Sequence, residues 1–224
     1  MTVVLGIDVG STSCKVDLIK CQKELNFNPN FRLDSISLAY QFSKNDLGSS
    51  KFEQSVDVIF RTLDQCLQKL DSKLLKDVQC IGICGQMHGC LLWKRDDPSF
   101  CNYDASKKTF NLNSKLITKL ITWQDDRCDE DFLSTLPKPS SNAKLASGYG
   151  MATLFWLAKH NSKLFDNFDR SGTIMDFIVS IICDLEYPVQ SIQNAYGYGY
   201  FDLFDTTWNI SKYIYLIIII KLFN

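Results

Sequence analysis

The sequence is short of the features that mark an exported, membrane-bound or nucleic-acid-binding protein. Its first residues lack a basic segment followed by an apolar core, the pattern of a secretory signal. Its 24 Lys and Arg residues offset 25 Asp and Glu residues and form no basic block, which argues against binding to a nucleic-acid backbone. The apolar run at residues 213–220 is far shorter than the ~20 residues of a membrane-spanning helix. We therefore expect a cytoplasmic protein with no membrane or nucleic-acid partner.

The nine cysteines lack the spacing of a metal or redox motif. There is no CxxC pair, and an odd number of cysteines without a secretory signal indicates reduced thiols. Cys80, Cys84 and Cys90 lie closest together, but their spacing fits no zinc site and no pair of histidines accompanies them. We expect these three residues to be small members of the core.

What the chain does have is the composition and patterning of a folded α/β protein. Hydrophobic residues make up 46% and charged residues 22% of the 224 residues, so a substantial core can form within one large domain. Short apolar runs predict strands at residues 5–8, 15–20, 35–42, 78–84 and 90–94, with the fourth of them buried. Apolar residues with helical periodicity predict a helix at residues 53–70, and residues 152–160 and 174–185 are also expected to be helical. Polar or Pro-containing segments predict loops at residues 21–34 and 95–113 and around Pro137 and Pro139.

A Gly- and Tyr-rich segment, NAYGYGYFD at residues 194–202, predicts a strand and a turn. Its tyrosines, Tyr196, Tyr198 and Tyr200, alternate with other residues, as side chains on one face of a strand do. We expect them to pack against a neighbouring strand.

The stretch LGIDVGSTSCKVDLI near the N-terminus joins a strand-ending carboxylate to a small, hydroxyl-rich turn of hairpin length. Asp8 ends the first apolar run, and an aspartate there can hold Mg²⁺ through water because Mg²⁺ prefers hard oxygen ligands. Gly10 lets the backbone approach a phosphate, and the amides and hydroxyls of Ser11, Thr12 and Ser13 can donate hydrogen bonds to it. These residues alone leave open the alternative of an ordinary hairpin turn with a capping aspartate.

Motifs along most of the chain resemble one family. GIDVGSTSCKV is similar to the first phosphate motif of sugar kinases, heat-shock-70 proteins and actin, whose domains have a ribonuclease-H-like core. GICGQMHG at residues 82–89 and TWQDDR at residues 122–127 resemble the FGGY carbohydrate kinases. LITWQDDRC, FLSTLPKP, GYGMATLFWL, GTIMDFIV and QNAYGYGYFD extend the resemblance, which is strongest to members that phosphorylate sedoheptulose. It implies the ribonuclease-H-like α/β fold of an FGGY N-terminal domain.

The same resemblance implies a sugar site built from these motifs. Gln86, Met87 and His88 would line it, with His88 sharing a hydrogen bond with a substrate hydroxyl, because a buried hydroxyl left unpaired is costly. Trp123 would offer an apolar wall to the sugar carbons. The alternative for His88 is a structural histidine with satisfied hydrogen bonds.

Further polar residues of the matched motifs have open roles. Gln124 and Asp125 would offer hydrogen bonds to the sugar. Arg127 would order its loop or reach the substrate, or else serve as a salt-bridged scaffold residue. Asn194 matches a family segment near the sugar site, with a turn asparagine as the alternative, and Asp176 would cap or orient a helix.

The family transfers the γ-phosphate of ATP with Mg²⁺, so the resemblance implies both ligands and a ketose substrate, with sedoheptulose converted to its 7-phosphate by the complete enzyme. The family's general-base aspartate follows a glycine in a later motif, and this sequence contains no Gly-Asp dipeptide. We therefore expect residues 1–212 to be an incomplete N-terminal sugar-binding domain, residues 213–224 a divergent apolar tail, and the C-terminal ATP-binding domain to be absent.

Two expectations follow for the chain by itself. It should be catalytically silent, and the surface that the absent domain would cover should favour self-association. The alternatives are a non-catalytic sugar-binding or protein-interaction module and, with less support, a nucleotide switch like actin or a chaperone. The switch gives no reason for QMHG or TWQDDR.

Overall fold

The computed structural model divides the chain into two units. The first unit comprises Met1–Ser43 and Asp57–Gly85, and the second comprises Lys44–Val56 and Gln86–Asn224, within what we expected to be one domain. The structure describes residues 2–21, 31–47, 52–107, 109–139 and 142–208. The apolar tail expected at residues 213–224 lies outside these ranges.

The first unit is built on a four-stranded sheet with the order β3-β2-β1-β5. Its strands are β1 (Thr2–Val9), β2 (Ser13–Cys21), β3 (Arg32–Ala39) and β5 (Val78–Gly85). β1 and β2 form the predicted antiparallel hairpin, whereas β5 runs parallel to β1. Alternate residues of β1 are buried, as expected for a strand that turns one face to the core. The third strand begins at Arg32, three residues before the predicted start.

A helix makes the crossover that the parallel strands β1 and β5 require. It is α1 (Val56–Lys69), which confirms most of the helix predicted at residues 53–70. Ile59 and Leu63 are buried on its apolar face, and the Cys66 thiol donates to the Cys14 carbonyl oxygen of β2 at 3.6 Å. The short helix α2 (Ser72–Leu75), which the sequence did not predict, starts at an Asp71 N-cap.

The strand predicted at residues 78–84 is present, but it is not buried. β5 is the last strand of the sheet among the described residues, and Ile81 is 44% exposed. Cys80 and Cys84 are exposed on it, while Cys90 is buried in the second unit. The core position expected for all three cysteines is therefore wrong for two of them, because an edge strand has a neighbour on only one side.

The second unit packs short strands and helices around an apolar core. Its strands are β4 (Glu53–Gln54), β6 (Leu91–Trp93), β7 (Cys101–Asp104), β8 (Thr109–Leu112), β9 (Leu120–Ile121), β10 (Arg170–Gly172), β11 (Phe201–Asp202) and β12 (Thr207–Trp208). They pair antiparallel as β4 with β9, β6 with β10, β7 with β8, and β11 with β12. Its helices are α3 (Glu130–Thr135), α4 (Gly150–His160), α5 (Ile174–Ile182) and α6 (Ile192–Tyr198), with a 3₁₀-helix at Ser162–Asp166. Leu92, Phe155 and Tyr198 belong to the shared core.

Two predictions for the second unit are wrong. The segment 95–113, expected to be a polar loop, contains the β7–β8 hairpin. The expected strand at residue 194 is helix α6, because Ser191 caps its start and Gly199, at φ 106°, ends it. Tyr198 therefore does not pack across a sheet; its hydroxyl lies 2.7 Å from Ser171 Oγ in the core.

The helices predicted at residues 152–160 and 174–185 are confirmed as α4 and α5, with α5 ending three residues early. α3 was not predicted, although Asp129 caps its start. None of the helices in the described ranges combines the length and the apolarity that a membrane crossing requires.

The exposed position of β5 leads to a prediction about thiol reactivity. Cys80 should be alkylated rapidly in the native chain at pH 8, whereas Cys90 should react only after unfolding, because burial raises the pKa of the Cys90 thiol to about 12 and excludes the reagent. Timed alkylation followed by peptide mass spectrometry measures both rates. Equal protection of Cys80 and Cys90 would show that β5 is covered in solution.

Candidate functional site

The predicted phosphate turn closes the β1–β2 hairpin of the first unit. The Gly10 amide donates to the Ser13 carbonyl oxygen at 3.0 Å, so this amide is already used within the turn. Thr12 is exposed, and Ser11 and Ser13 are half-buried. The turn therefore presents hydroxyl groups at the end of the hairpin rather than at the start of a helix.

Asp8 precedes this turn by two residues and lies opposite Cys84 of β5. Its side chain is half-buried and has no hydrogen bond or ion pair among the described residues. Burial raises the pKa of the Cys84 thiol, and the negative charge of Asp8 adds to this rise. Such an unpaired carboxylate beside hydroxyl groups has the hard oxygen donor that Mg²⁺ prefers.

A metal at Asp8 would need ligands from elsewhere. Within the described ranges, no three His, Cys, Asp or Glu side chains cluster as a ligand set. Mg²⁺ commonly keeps several waters and takes only one or two protein carboxylates together with substrate phosphates. The single carboxylate therefore fits a Mg²⁺ that arrives with a nucleotide better than a resident metal.

In the second unit, His88 lies between a backbone carbonyl and an aromatic ring. Its Nδ1 is 2.5 Å from the Gly197 carbonyl oxygen of α6. Its ring stacks on Tyr149, with centroids 4.5 Å apart and planes 8° apart. The backbone of His88 has a φ of 72°, a left-handed conformation that few residues other than glycine adopt.

Backbone contacts bring the predicted motifs together around His88. Cys90 and Ile121 exchange backbone hydrogen bonds of 2.9 Å, which join the QMHG segment to the strand before Trp123. Gly148, at φ 79°, packs on the Trp123 backbone so closely that an added Cβ would overlap the carbonyl oxygen. Tyr149 follows directly. The Trp123 side chain remains 46% exposed, as an apolar wall for a ligand requires.

Sequence reasoning missed Tyr149 and Gly197. Tyr149 stacks on His88, and an added Cβ at Gly197 would lie 2.9 Å from the Met87 methyl and 3.1 Å from the His88 ring. A signal was present in GYG at residues 148–150, where two glycines flank an aromatic side chain, a pattern typical of close backbone approach. The same GYG pattern occurs at residues 197–199, but the alternating tyrosines around Gly197 favoured a strand there.

The remaining predicted residues have partners within the protein or face solvent. The Gln86 side chain is buried and donates from Nε2 to Gln54 Oε1 at 3.2 Å. Gln124 is exposed. Asn194 is buried and donates from Nδ2 to Asp176 Oδ1 at 2.6 Å. This last contact favours a structural role for Asn194, which lies in helix α6 and not in a turn.

Asp125 and Arg127 form a charged cluster with Glu53. Arg127 Nε lies 2.6 Å from Asp125 Oδ1, and Arg127 Nη2 lies 2.7 Å from Glu53 Oε1. Partial burial disfavours the guanidinium charge, but the hydrogen bonds and charges of both carboxylates outweigh it and raise the pKa of Arg127 above its usual value. The guanidinium also lies 5.3 Å from the centre of the Trp156 ring. This geometry favours the scaffold alternative for Arg127.

The same cluster lines the edge of a cavity of about 690 Å³. Trp156 and His160 stack in its wall with ring centroids 4.3 Å apart, but His88 is not among the lining residues. Asp125 and Arg127 thus face a different space from the His88 ring.

Loss of the charged cluster should destabilise the protein. Arg127→Ala leaves the buried Asp125 carboxylate without its cation and should lower the free energy of unfolding by about 3–5 kcal/mol. Arg61→Ala is the matched control, because its pair with Asp57 is exposed and should contribute about 0.5 kcal/mol or less. Denaturant unfolding monitored by circular dichroism measures both. Equal losses for the two variants would contradict the scaffold role.

Comparisons with known proteins agree with the motifs. Residues 3–106 match the FGGY family of carbohydrate kinases, N-terminal domain. The chain is 36% identical over 209 residues to sedoheptulokinase from Mus musculus and 35% identical over 214 residues to sedoheptulokinase from Homo sapiens. Each alignment covers 93% of this chain and 44% of the relative, so the chain spans less than half the length of these proteins.

Solved structures show the same fold. Xylulose kinase from Lactobacillus acidophilus superposes with a TM-score of 0.66 at 20% identity over 97% of this chain and 40% of that one. Glycerol kinase from Plasmodium falciparum superposes with a TM-score of 0.69 at 19% identity over 99% of this chain and 42% of that one. The predicted ribonuclease-H-like α/β fold is confirmed. Residues 3–106 therefore carry an N-terminal domain of the FGGY family of carbohydrate kinases.

Proposed function

We propose that this chain binds the ketose for an ATP-dependent phosphorylation, with sedoheptulose as the substrate and sedoheptulose 7-phosphate as the product of the complete enzyme. The observation that carries the proposal is the geometry of His88, held between the Gly197 carbonyl oxygen and the Tyr149 ring. The choice of sedoheptulose is supported by the 35–36% identity to two sedoheptulokinases.

The ketose site consists of His88, Met87, Trp123 and Tyr149. His88 Nδ1 contacts a protein carbonyl, which leaves Nε2 to share a hydrogen bond with a sugar hydroxyl. Trp123 and Tyr149 supply aromatic faces on which the C–H side of a sugar can pack. The side chains of Gln86, Asp125, Arg127 and Asn194 bond other protein side chains.

The phosphate site consists of Asp8 and the Gly10–Ser13 turn of the first unit. ATP with Mg²⁺ would supply the phosphoryl group and the positive charge that offsets it. Asp8 would bind waters of the metal ion, because its carboxylate has no partner among the described residues. The hydroxyls of Ser11, Thr12 and Ser13 would donate hydrogen bonds to phosphate oxygens.

We further propose that residues 1–224 hold the ketose without phosphorylating it. Phosphoryl transfer to a hydroxyl needs a base within hydrogen-bond reach of that hydroxyl. In the described part of the second unit, Asp125 is paired with Arg127 and Asp176 accepts four hydrogen bonds, so neither carboxylate is available as that base.

One observation favours the alternative of an interaction module. The edge strand β5 exposes Ile81 and two cysteines, and such an edge can pair with another chain, including a second copy.

All nine cysteines are free thiols, which supports a reducing, cytoplasmic location.

Ketose binding should depend on His88 and not on the other histidine. In calorimetric titration of the purified chain, His88→Ala should weaken sedoheptulose binding at least about tenfold, through loss of one buried hydrogen bond. His160→Ala, in the wall of the 690 Å³ cavity, should change it less than about twofold. The reverse result would move the ketose site to that cavity and overturn the proposal.

The proposed lack of kinase activity in residues 1–224 is tested separately. A coupled assay with ATP, Mg²⁺ and sedoheptulose should show no turnover above the rate without protein. Turnover that disappears in both Asp8→Asn and His88→Ala would show that this chain supplies its own base. Substituting xylulose in the titration tests the choice of ketose.

A further inference from the structure

We propose that Asp176 and Asn194 are positioning residues. They hold helix α6 so that the Gly197 carbonyl keeps the proton on Nδ1 of His88 and leaves Nε2 as a hydrogen-bond acceptor. This inference deepens the proposed function and rests on it for the statement that the acceptor binds a ketose hydroxyl. The tautomer of His88 itself can be measured without any sugar.

The contact with Gly197 determines which nitrogen of the His88 ring carries the proton. A carbonyl oxygen has only lone pairs, so the 2.5 Å contact with Gly197 requires the proton on Nδ1. In the neutral ring Nε2 then carries a lone pair and accepts. The nearly parallel Tyr149 ring, 4.5 Å away, opposes rotation of the imidazole out of this contact. The ketose hydroxyl must therefore donate to His88.

His88 packs closely against helix α6. Gly197 has no Cβ, and an added one would lie 3.1 Å from His88 Nδ1, closer than most side-chain contacts. The left-handed backbone of His88 aims its ring at this carbonyl, a conformation that surrounding structure must support. A small shift of α6 would therefore break the contact.

Hydrogen bonds of Asn194 and Asp176 hold helix α6 in place. Asn194 lies one turn before Gly197 and donates from Nδ2 to Asp176 Oδ1 at 2.6 Å and to Thr173 Oγ1 at 2.9 Å. Asp176 Oδ2 accepts from the amide and the hydroxyl of Thr173 at 2.7 and 2.8 Å, and from Gln190 Nε2 at 2.6 Å.

This network joins the first turn of α6 to the first turn of α5. Asp176 and Asn194 are 3% and 5% exposed, so these hydrogen bonds lie away from solvent. Neither side chain needs to touch the sugar, since the effect passes through the Gly197 carbonyl to His88.

The experiment is a long-range ¹H–¹⁵N spectrum of the full chain with ¹⁵N-labelled histidine at pH 7.5, without sugar. His88 should show protonated Nδ1 and unprotonated Nε2, and Asn194→Ala should convert this to a mixture of tautomers. Gln193→Ala is the control, because Gln193 is exposed on the same helix and should leave the signals unchanged. A protonated Nε2 in the unsubstituted chain overturns the proposal.

If Asn194→Ala does not fold, Gln190→Ala is measured in its place. Gln190→Ala removes only one donor to Asp176 and should still alter the His88 signals. Unchanged signals in a folded Asn194→Ala, or in Gln190→Ala where that variant is the one measured, overturn the positioning role. If the tautomer is as stated and no ketose binds, the proposed function fails while the positioning role stands.

A double-mutant cycle tests the connection to the sugar. Asn194→Ala should weaken sedoheptulose binding by about the same factor as His88→Ala, and the double variant should be no weaker than His88→Ala alone. Full additivity of the two losses would show that Asn194 acts on the sugar by a route other than His88, and would overturn the inference.

Discussion

The contact of His88 with the Gly197 carbonyl oxygen is the interaction on which the candidate ketose site depends. It crosses 109 positions of the chain and joins the QMHG segment to helix α6. Because an imidazole nitrogen that faces a carbonyl must carry the proton, the contact decides the chemistry of the other nitrogen as well as the position of the ring. A backbone group thus determines what a side chain can offer to a ligand.

The three aspartates considered for function differ in the partners that surround them. Asp125 is paired with Arg127, and Asp176 is buried among four hydrogen bonds, so both contribute to structure. Asp8 has no such partner among the described residues and lies beside the hydroxyl-rich turn. Burying a charge without a partner is costly, so carboxylates inside a core are paired, and the half-buried Asp8 is the one left for a ligand.

Much of the fold could be predicted because its signals are local. The β1–β2 hairpin follows from turn length and α1 from apolar periodicity, and α4 and α5 were also expected from their own segments. The failures lie where tertiary contacts override such patterns. VQCIGIC is apolar enough for a buried strand, but it forms the edge strand β5, and Tyr196 and Tyr198 of NAYGYGY lie on the capped helix α6.

The sequence by itself determined the resemblance to the FGGY family, the strand-ending Asp8 with its turn, and the motifs that contain His88 and Trp123, because these are properties of neighbouring residues. Only the tertiary structure decided which residues of those motifs form hydrogen bonds or ion pairs with other residues and which remain for a ligand. Asp125, Arg127 and the side-chain nitrogen of Asn194 are paired with protein partners, whereas Tyr149 and Gly197 entered the site through contacts with His88. The physical reason is that a polar side chain's role depends on what fills its hydrogen bonds, and those partners come from distant parts of the chain.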